Sequence, residues 1–270
     1  MTPRFVDIDW QGRPLHIECQ WVGADNSTLP PLVFLHEGLG SLAMWKDFPE
    51  RLCAAHGLRG LAFSRYGYGQ STPKPPGERW PVGFMHAQAH EVLPALFEAL
   101  GVERPWLFGH SDGASIALLY AARFPVAGLV VVAPHIFTED MGIASIEVAR
   151  QAYESTDLRE RLARYHADVD SAFRGWNDVW LDPAFRAWNI EAELDAIDCP
   201  VLAVQGEDDE YGTLEQIRGI ARRLPQARSL VLAHCAHSPH RDQPDRLIAE
   251  AGAFIRRASA ADIANELETP

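Results

Sequence analysis

Residues 106–124 read WLFGHSDGASIALLYAARF, and this stretch decides the fold. Its apolar start, Trp106–Gly109, is typical of a strand covered on both faces, whereas Ala114–Phe124 has the pattern of a helix. Between them lies a G-x-S-x-G pentapeptide centred on Ser111. A serine at a cramped strand-to-helix turn needs small neighbours, and such a turn exposes its hydroxyl. The pattern predicts a nucleophilic serine, with a structural glycine-rich turn as the alternative.

Further apolar runs predict a mostly parallel α/β sheet. They alternate with helical patterns at residues 86–100 and 214–224, as in chains whose helices connect parallel strands. The first two runs are joined only by a turn, so we expect them to pair antiparallel at one edge. With the strand before Ser111, the fold class is an eight-stranded sheet flanked by helices. The other runs are Phe5–Asp9, His16–Gln20, Pro31–His36, Gly60–Phe63, Val126–Ala133, Val201–Val204 and Ser229–Leu232.

Residues 135–195 differ from the rest of the chain. They contain no run that resembles a buried strand, but they are rich in aromatic residues. We expect them to form a helical cap (lid) inserted over the edge of the sheet, with residues 1–134 and 196–270 as the core domain. Trp176 and Trp180 are candidates for lining an apolar substrate pocket, and core packing is the alternative for both.

The composition limits the partners. The chain has 270 residues, and its 37 acidic residues outnumber 24 basic ones, for a net charge of −13. That sign disfavours nucleic acid and anionic membranes. The N-terminus lacks an uninterrupted apolar segment, no stretch approaches the roughly 20 apolar residues of a membrane span, and the four cysteines have no CxxC spacing. We expect a cytoplasmic monomer or homodimer that acts on a small molecule without a metal or other cofactor.

Three further segments follow predicted strands and can meet the serine. HEGLGS at residues 36–41 can present backbone amides to an oxyanion, QGEDDE at 205–210 supplies carboxylates, and HCAHSPH at 234–240 supplies three histidines. The C-terminal ends of parallel strands converge at one edge of a sheet. A histidine base would complete the order serine, acid, histidine. Spacing leaves open which acid and which histidine take part, while a metal held by one tight loop is disfavoured.

These segments together resemble the α/β-hydrolase superfamily over nearly the whole chain. Besides the serine pentapeptide, RYGYGQS at residues 65–71 is similar to the R-x-G-x-G-x-S segment after the fourth strand of these enzymes. Residues 36–38 are similar to their His-Gly-x loop. Epoxide hydrolases and haloalkane dehalogenases of this superfamily have aspartate at the nucleophile position, so Ser111 argues against both.

The resemblance implies a role for five residues besides Ser111. In the G-x-x-D motif Asp209 is the triad acid, with Asp208 as the fallback, and His237 is the base. The backbone amides of Gly38 and Asp112 form the oxyanion hole.

The implied function is hydrolysis of a small carboxylic ester, thioester or lactone through an acyl-enzyme intermediate. The same triad also serves cofactor-free perhydrolases and hydrolases of carbon–carbon bonds in dioxo acids. The dioxo acids need cations such as Arg150, Arg174 or Arg186 in the pocket. A non-catalytic ligand-binding member of the superfamily is a third possibility.

Two residues depart from the family pattern. Glu37 replaces the usual glycine of His-Gly, and an inward-facing carboxylate there would oppose oxyanion charge. We therefore expect it to point away into a salt-bridged or hydrogen-bonded site, with Arg65 as one possible partner. Asp112 replaces a common apolar residue; its side chain would contact either a polar substrate group or structural hydrogen-bond partners.

Overall fold

The computed structural model describes residues 2–268, and the side chains of residues 2–261. Eight strands lie within these residues and form one sheet. They are β1 Arg4–Trp10, β2 Arg13–Gly23, β3 Leu32–Leu35, β4 Arg59–Phe63, β5 Trp106–His110, β6 Gly128–Val132, β7 Val201–Gly206 and β8 Ala227–Leu232.

The strands are arranged in the order β1-β2-β4-β3-β5-β6-β7-β8. β1 pairs antiparallel with β2, and β2 pairs antiparallel with β4. All pairs from β4 to β8 are parallel. The predicted eight-stranded α/β sheet with an antiparallel edge is therefore confirmed. Because β3, β5, β6 and β7 are parallel, the loops after them all leave from the same edge.

Helices connect the strands on both faces of the sheet. The predicted helix at 86–100 is present as Phe84–Ala87, a π-helical turn at Gln88–Val92 and Leu93–Leu100, and the one at 214–224 as Glu215–Arg223. No helix in the described part of the chain is both long and apolar enough to cross a bilayer. The helices are α1 Phe48–His56, α2 Phe84–Ala87, α3 Leu93–Leu100, α4 Asp112–Ala121, α5 Asp140–Ser155, α6 Leu158–Leu162, α7 Val169–Trp180, α8 Glu191–Leu194, α9 Glu215–Arg223, α10 Pro239–Asp242 and α11 Pro244–Glu268.

The central strands are buried on both faces because their side chains alternate between two cores. In β5, Leu107 belongs to the core beneath α3 and α4, whereas Phe108 belongs to the core beneath α1 and α11. Each such side chain stabilises the fold by roughly 1.5–3 kcal/mol when fully buried. This packing holds the ends of the strands, and therefore the loops after them, in fixed positions.

Residues 135–195 leave the sheet after β6 and return before β7, which is its neighbour. They contain α5 to α8 and no strand longer than one bridge, between Phe137 and Asn189. Beside that bridge, the Ile190 amide donates to the Ile136 carbonyl at 2.8 Å. The base of the segment is thus a narrow neck of two adjacent chain segments.

Candidate active site

Ser111 lies on a strained turn between β5 and α4. Its φ is 54° and its ψ −122°, a backbone conformation that residues other than glycine rarely adopt. A side chain at Gly109 would overlap the carbonyl oxygen of Gly113, and one at Gly113 would overlap that of Leu35. Both glycines are therefore required for the turn to fit against α4 and β3.

The hydroxyl of Ser111 is the first member of a hydrogen-bonded chain of three side chains. His237 Nε2 lies 2.9 Å from Ser111 Oγ, and His237 Nδ1 lies 2.8 Å from Asp209 Oδ1. Because a carboxylate can only accept, Nδ1 carries the proton and Nε2 is free to accept the serine proton. The structure thus brings together three residues that lie 126 and 28 positions apart along the chain.

Asp209 is held as an ionised acceptor. Its Oδ1 also accepts from the Tyr211 amide at 2.9 Å, and its Oδ2 from Gln205 Nε2 at 3.1 Å. Burial acts to raise the pKa of Asp209, but His237 and the Tyr211 amide outweigh it and leave the pKa below its usual value. Asp208 is exposed to solvent, so the structure orients Asp209 and not the fallback toward His237.

The histidine loop and the acid loop meet at a glycine. Gly206, the last residue of β7, lies so close to the histidine loop that a side chain there would overlap the carbonyl oxygens of Cys235 and Ala236. The Asp208 amide also donates to the Cys235 carbonyl at 2.9 Å. This close approach brings the two loops within one hydrogen-bond length.

The Gly38 amide has a fixed direction. The carbonyl of Glu37 accepts from His36 Nδ1 at 2.7 Å, from Arg65 Nη2 at 2.9 Å and from the Gly40 amide at 3.0 Å. In a trans peptide the carbonyl and the following N–H point in opposite directions. The Gly38 N–H therefore points away from these buried donors, and Gly38 lines the cavity beside Ser111.

The Asp112 amide is the first of α4, where backbone N–H groups have no helical partner and the helix dipole favours negative charge. Its side chain is fully buried and turns to other protein groups. Oδ1 accepts from Trp180 Nε1 at 3.1 Å, and Oδ2 lies 3.9 Å from Arg65 Nη2. Burial raises the pKa of Asp112 to about 6, against the lowering effects of Arg65 and Trp180. Of the two roles expected for the Asp112 side chain, contact with a polar substrate group or with other protein groups, the structure shows the second.

The Glu37 carboxylate is paired, but Arg65 is not its partner. Glu37 Oε1 accepts from Arg241 Nη2 at 3.1 Å. Arg65 contacts the Glu37 backbone carbonyl instead, because its guanidinium lies on the opposite side of the peptide beside Asp112. The possible Glu37–Arg65 carboxylate pair is therefore wrong, whereas the expected salt-bridged site for Glu37 is present.

A cavity of about 250 Å³ opens over Ser111. Trp176 and Trp180 of α7 contribute to its wall, as does Ile146 of α5. The indole of Trp176 contacts Gly38 so closely that any side chain at position 38 would overlap it. The remaining lining residues are Glu37, Gly38, Leu39, His110, Asp112, His135, Glu210, Tyr211, His237, Ser238 and Arg241.

Several of these lining residues were missed in the sequence. Tyr211 and Glu210 directly follow Asp209, and His110 lies inside the pentapeptide, so their positions could have indicated them. His135 is buried between Trp180 and His237, and burial lowers its pKa to about 3, so its ring is neutral. Nothing in the local pattern marks this residue.

The cations considered for a dioxo acid lie elsewhere. Arg150 Nε donates to Asn177 at 2.9 Å, Arg186 binds Asp140, and Arg174 is exposed. Among the described residues that line the cavity, none of these three appears. The only arginine lining it in that part of the chain is Arg241, which is paired with Glu37.

The three histidines of the last loop point apart. His237 faces Ser111, His234 is exposed, and His240 packs between Trp45 and His110 with ring centroids 4.9 and 4.7 Å away. In the described part of the chain, no group of three or more potential ligands is arranged to hold a metal.

The family model described as "Alpha/beta hydrolase family" matches residues 32–251. The chain therefore belongs to the alpha/beta hydrolase family. The match spans β3 to α11 and includes every residue of the hydrogen-bonded chain at Ser111.

Individual relatives with known names have low sequence identity to this chain. "Putative carbamate hydrolase RutD" of Agrobacterium fabrum (strain C58) is 28% identical over 239 aligned positions, covering 80% of this chain and 89% of the relative. The 2-hydroxy-6-oxo-6-phenylhexa-2,4-dienoate hydrolase of Comamonas testosteroni is 25% identical over 202 positions, covering 65% and 70%. The structure of a thermophilic esterase from Thermogutta terrifontis has a TM-score of 0.70 at 18% identity, and the match covers 96% of this chain and 99% of that one. This similarity shows a shared fold only.

Proposed function

We propose that the protein is a serine hydrolase that cleaves a small, uncharged carboxylic ester, thioester or lactone through an acyl-enzyme. The observation that carries this proposal is the continuous hydrogen-bonded chain from Asp209 through His237 to Ser111. Each atom in that chain has the donor or acceptor property that nucleophilic catalysis needs.

The reaction has two halves. His237 Nε2 takes the proton of Ser111 Oγ as the oxygen attacks the substrate carbonyl carbon, and the resulting oxyanion is stabilised by the amides of Gly38 and Asp112. His237 then gives the proton to the leaving alcohol or thiol, which leaves the acyl group on Ser111. Water then attacks the acyl carbon while His237 takes its proton. The bond from that carbon to Ser111 Oγ breaks, His237 returns the proton to Oγ, and the carboxylic acid is released. Asp209 stabilises the imidazolium in both halves.

The size and charge of the cavity support a small, uncharged substrate. A volume of about 250 Å³ lies below the usual range for drug-sized ligands. Glu37 and Glu210 line the cavity, the Asp112 side chain is buried next to it, and Arg241 is already paired with Glu37. An anionic substrate would meet these carboxylates without a free cation.

Hydrolysis of a carbon–carbon bond in a dioxo acid is the second candidate. The name of the Comamonas relative supports it. The positions of Arg150, Arg174 and Arg186 outside the cavity disfavour it, because the acid group of such a substrate would have no partner. The name of the Agrobacterium relative mentions a carbamate. A carbamate ester is an uncharged acyl compound, so it belongs among the substrates to be tested.

We further propose that residues 1–134 and 196–270 form the catalytic core and residues 135–195 the cap. The cap supplies Trp176 and Trp180 to the cavity wall and no member of the triad. Its exchange would therefore alter the substrate range more than the chemistry.

The test combines an active-site label with a substrate panel. A fluorophosphonate should form an adduct on Ser111 in the wild-type protein and none in Ser111→Ala. Turnover of p-nitrophenyl acetate, a thioester, a lactone, an aryl carbamate and a dioxo acid is then compared, and we expect the dioxo acid to be the poorest. A folded wild-type protein without an adduct would contradict the hydrolase proposal and favour a ligand-binding protein. Preferential turnover of the dioxo acid would favour the second candidate.

A further inference from the structure

His110 precedes the serine, and its ring is completely buried at the end of β5. His110 Nε2 lies 2.7 Å from the backbone carbonyl oxygen of His237. Because a carbonyl can only accept, Nε2 carries a proton and donates it. The residue before the nucleophile therefore binds the main chain of the residue that acts as its base.

The other side of the His110 ring faces Glu37. His110 Nδ1 faces Glu37 Oε2 at a distance of 3.5 Å, and Glu37 Oε1 accepts from Arg241 at 3.1 Å. Burial alone would raise the pKa of Glu37, but its contacts with His110 and Arg241 hold it well below its usual value. The carboxylate is therefore ionised, and it is directed at His110 and Arg241 and away from the oxyanion position.

We propose that Glu37 and His110 are positioning residues, in which Glu37 orients the His110 ring and His110 holds the backbone of His237. This inference rests on the proposed function, because it concerns the base of that reaction. It gives a reason for the departure from the family pattern at position 37, since a glycine there would have no carboxylate to reach His110 or Arg241.

The contact network joins the three loops that carry the reaction. Glu37 belongs to the loop of the oxyanion amide, His110 to the nucleophile turn, and His237 with Arg241 to the last loop and α10. A carboxylate, a ring and a carbonyl thus cross-link three segments that are up to 204 residues apart in the sequence. Catalysis depends on distances of a few tenths of an ångström between such groups, and a displacement of about 1 Å can cost roughly 100-fold in rate.

The surroundings of His110 contain other titratable groups. The burial of His240 lowers its pKa well below the usual value, and His135 is likewise neutral, so neither ring adds a competing charge. The groups that face His110 are Glu37 from the loop after β3, His135 from the segment after β6, and His237 and His240 from the last loop and α10, while Arg241 binds the other oxygen of Glu37.

Three variants test the proposal kinetically. His110→Leu removes the donor, and we expect kcat to fall about 10- to 100-fold with KM changed less than about threefold. His110→Gln places an amide N–H where Nε2 was, so it should restore kcat to within about threefold of the wild type. Glu37→Gln should lower kcat about tenfold. The rate of fluorophosphonate labelling should fall by the same factors, because it also needs an activated serine.

His56→Gln is the matched control. His56 Nε2 also bonds a backbone carbonyl, that of Ile248 at 3.0 Å, but it is remote from the cavity. This variant should keep the wild-type kcat. Thermal unfolding of every variant shows whether it folds, and if His110→Leu does not, His110→Gln and Glu37→Gln still give the comparison.

A measurement without turnover separates this inference from the proposed function. In ¹⁵N-histidine NMR of Ser111→Ala, His110 should show a slowly exchanging proton on Nε2, and the His237 ring signals should shift on adding His110→Leu but not His56→Gln. An unprotonated Nε2 at His110, or labelling rates equal in wild type and folded His110→Leu, would overturn the positioning role. Absence of labelling in the wild type overturns the hydrolase function instead, whatever the NMR result.

Discussion

Trp180 donates its indole N–H to the carboxylate of Asp112 at 3.1 Å, and this bond joins α7 to the residue that follows the nucleophile. Both side chains are buried, so the bond is shielded from water. A hydrogen bond to a charged group in such a place contributes about 1.5–3 kcal/mol. The wall of the cavity and the backbone amide of Asp112 are thus fixed relative to each other by one contact.

Removal of that donor gives the first prediction. Trp180→Phe should lower the free energy of unfolding by about 1–3 kcal/mol more than Trp188→Phe does, measured by denaturant titration. Trp188 is also buried among aromatic rings, but among the described residues its indole N–H has no hydrogen-bond partner. The two substitutions remove the same atoms, so equal losses would show that the Asp112 bond contributes nothing.

The ionisation of Asp112 gives a prediction on pH. Its pKa in the fold is about 6, above the usual 3.8, so the folded state binds the proton more tightly than the unfolded state. Stability therefore falls as the pH rises through this window, and the carboxyl contributes most below it. Asp112→Asn does not titrate. The stability of the wild type relative to Asp112→Asn should fall by about 2–3 kcal/mol between about pH 4 and pH 7. Parallel stability curves would contradict the raised pKa.

The two adjacent aspartates give a matched pair. Asp209→Asn places an amide against His237 Nδ1 and disfavours the tautomer that can accept the serine proton, so kcat for p-nitrophenyl acetate should fall about 10³- to 10⁴-fold. Asp208→Asn changes an exposed residue and should stay within about twofold. A large loss from Asp208→Asn with a small one from Asp209→Asn would reverse the assignment of the acid.

The contact of Gly38 with Trp176 gives the last prediction. Gly38→Ala forces the new methyl group into the indole, which moves either the oxyanion amide or α7. We expect kcat/KM to fall about 10- to 100-fold. Adding Trp176→Leu to Gly38→Ala should recover part of the loss, because it makes room. Gly83→Ala is the control, since a methyl group there meets no atom within 4 Å. A folded Gly38→Ala enzyme with the kcat/KM of the wild type would contradict the expectation that this contact holds the reacting groups in place.

The central strands could be predicted because they are short apolar runs ended by turn residues, whereas β1 and β2 were indicated by the turn between them. Parallel topology followed from the helical patterns between the later strands. α11 was missed although Leu247, Ala251 and Ile255 recur at helical spacing and are fully buried, so its signal was present. α1 has a weaker pattern, with Phe48, Leu52 and Cys53 as its main buried contacts.

The site was predictable as far as local motifs reach. The need for glycine at positions 109 and 113 could be predicted because a cramped strand-to-helix turn leaves no room for side chains there. The order of the loops indicated His237 and Asp209 as neighbours of Ser111. The partners of Asp112 and Glu37 could not be predicted in this way. They lie 68 and 204 residues away, and no periodicity connects residues that only the packing of the whole sheet brings together.

The narrow neck at the base of residues 135–195 has a consequence for how such a protein diversifies. Because Ile136 and Ile190 are hydrogen-bonded neighbours, the segment between them begins and ends at nearly one point. We therefore expect insertions, deletions or a transplanted segment of another length to leave the register of β6 and β7 unchanged. Because Ser111, Asp209 and His237 lie outside residues 135–195, we expect selection for a new substrate to act mainly on this one piece of the gene.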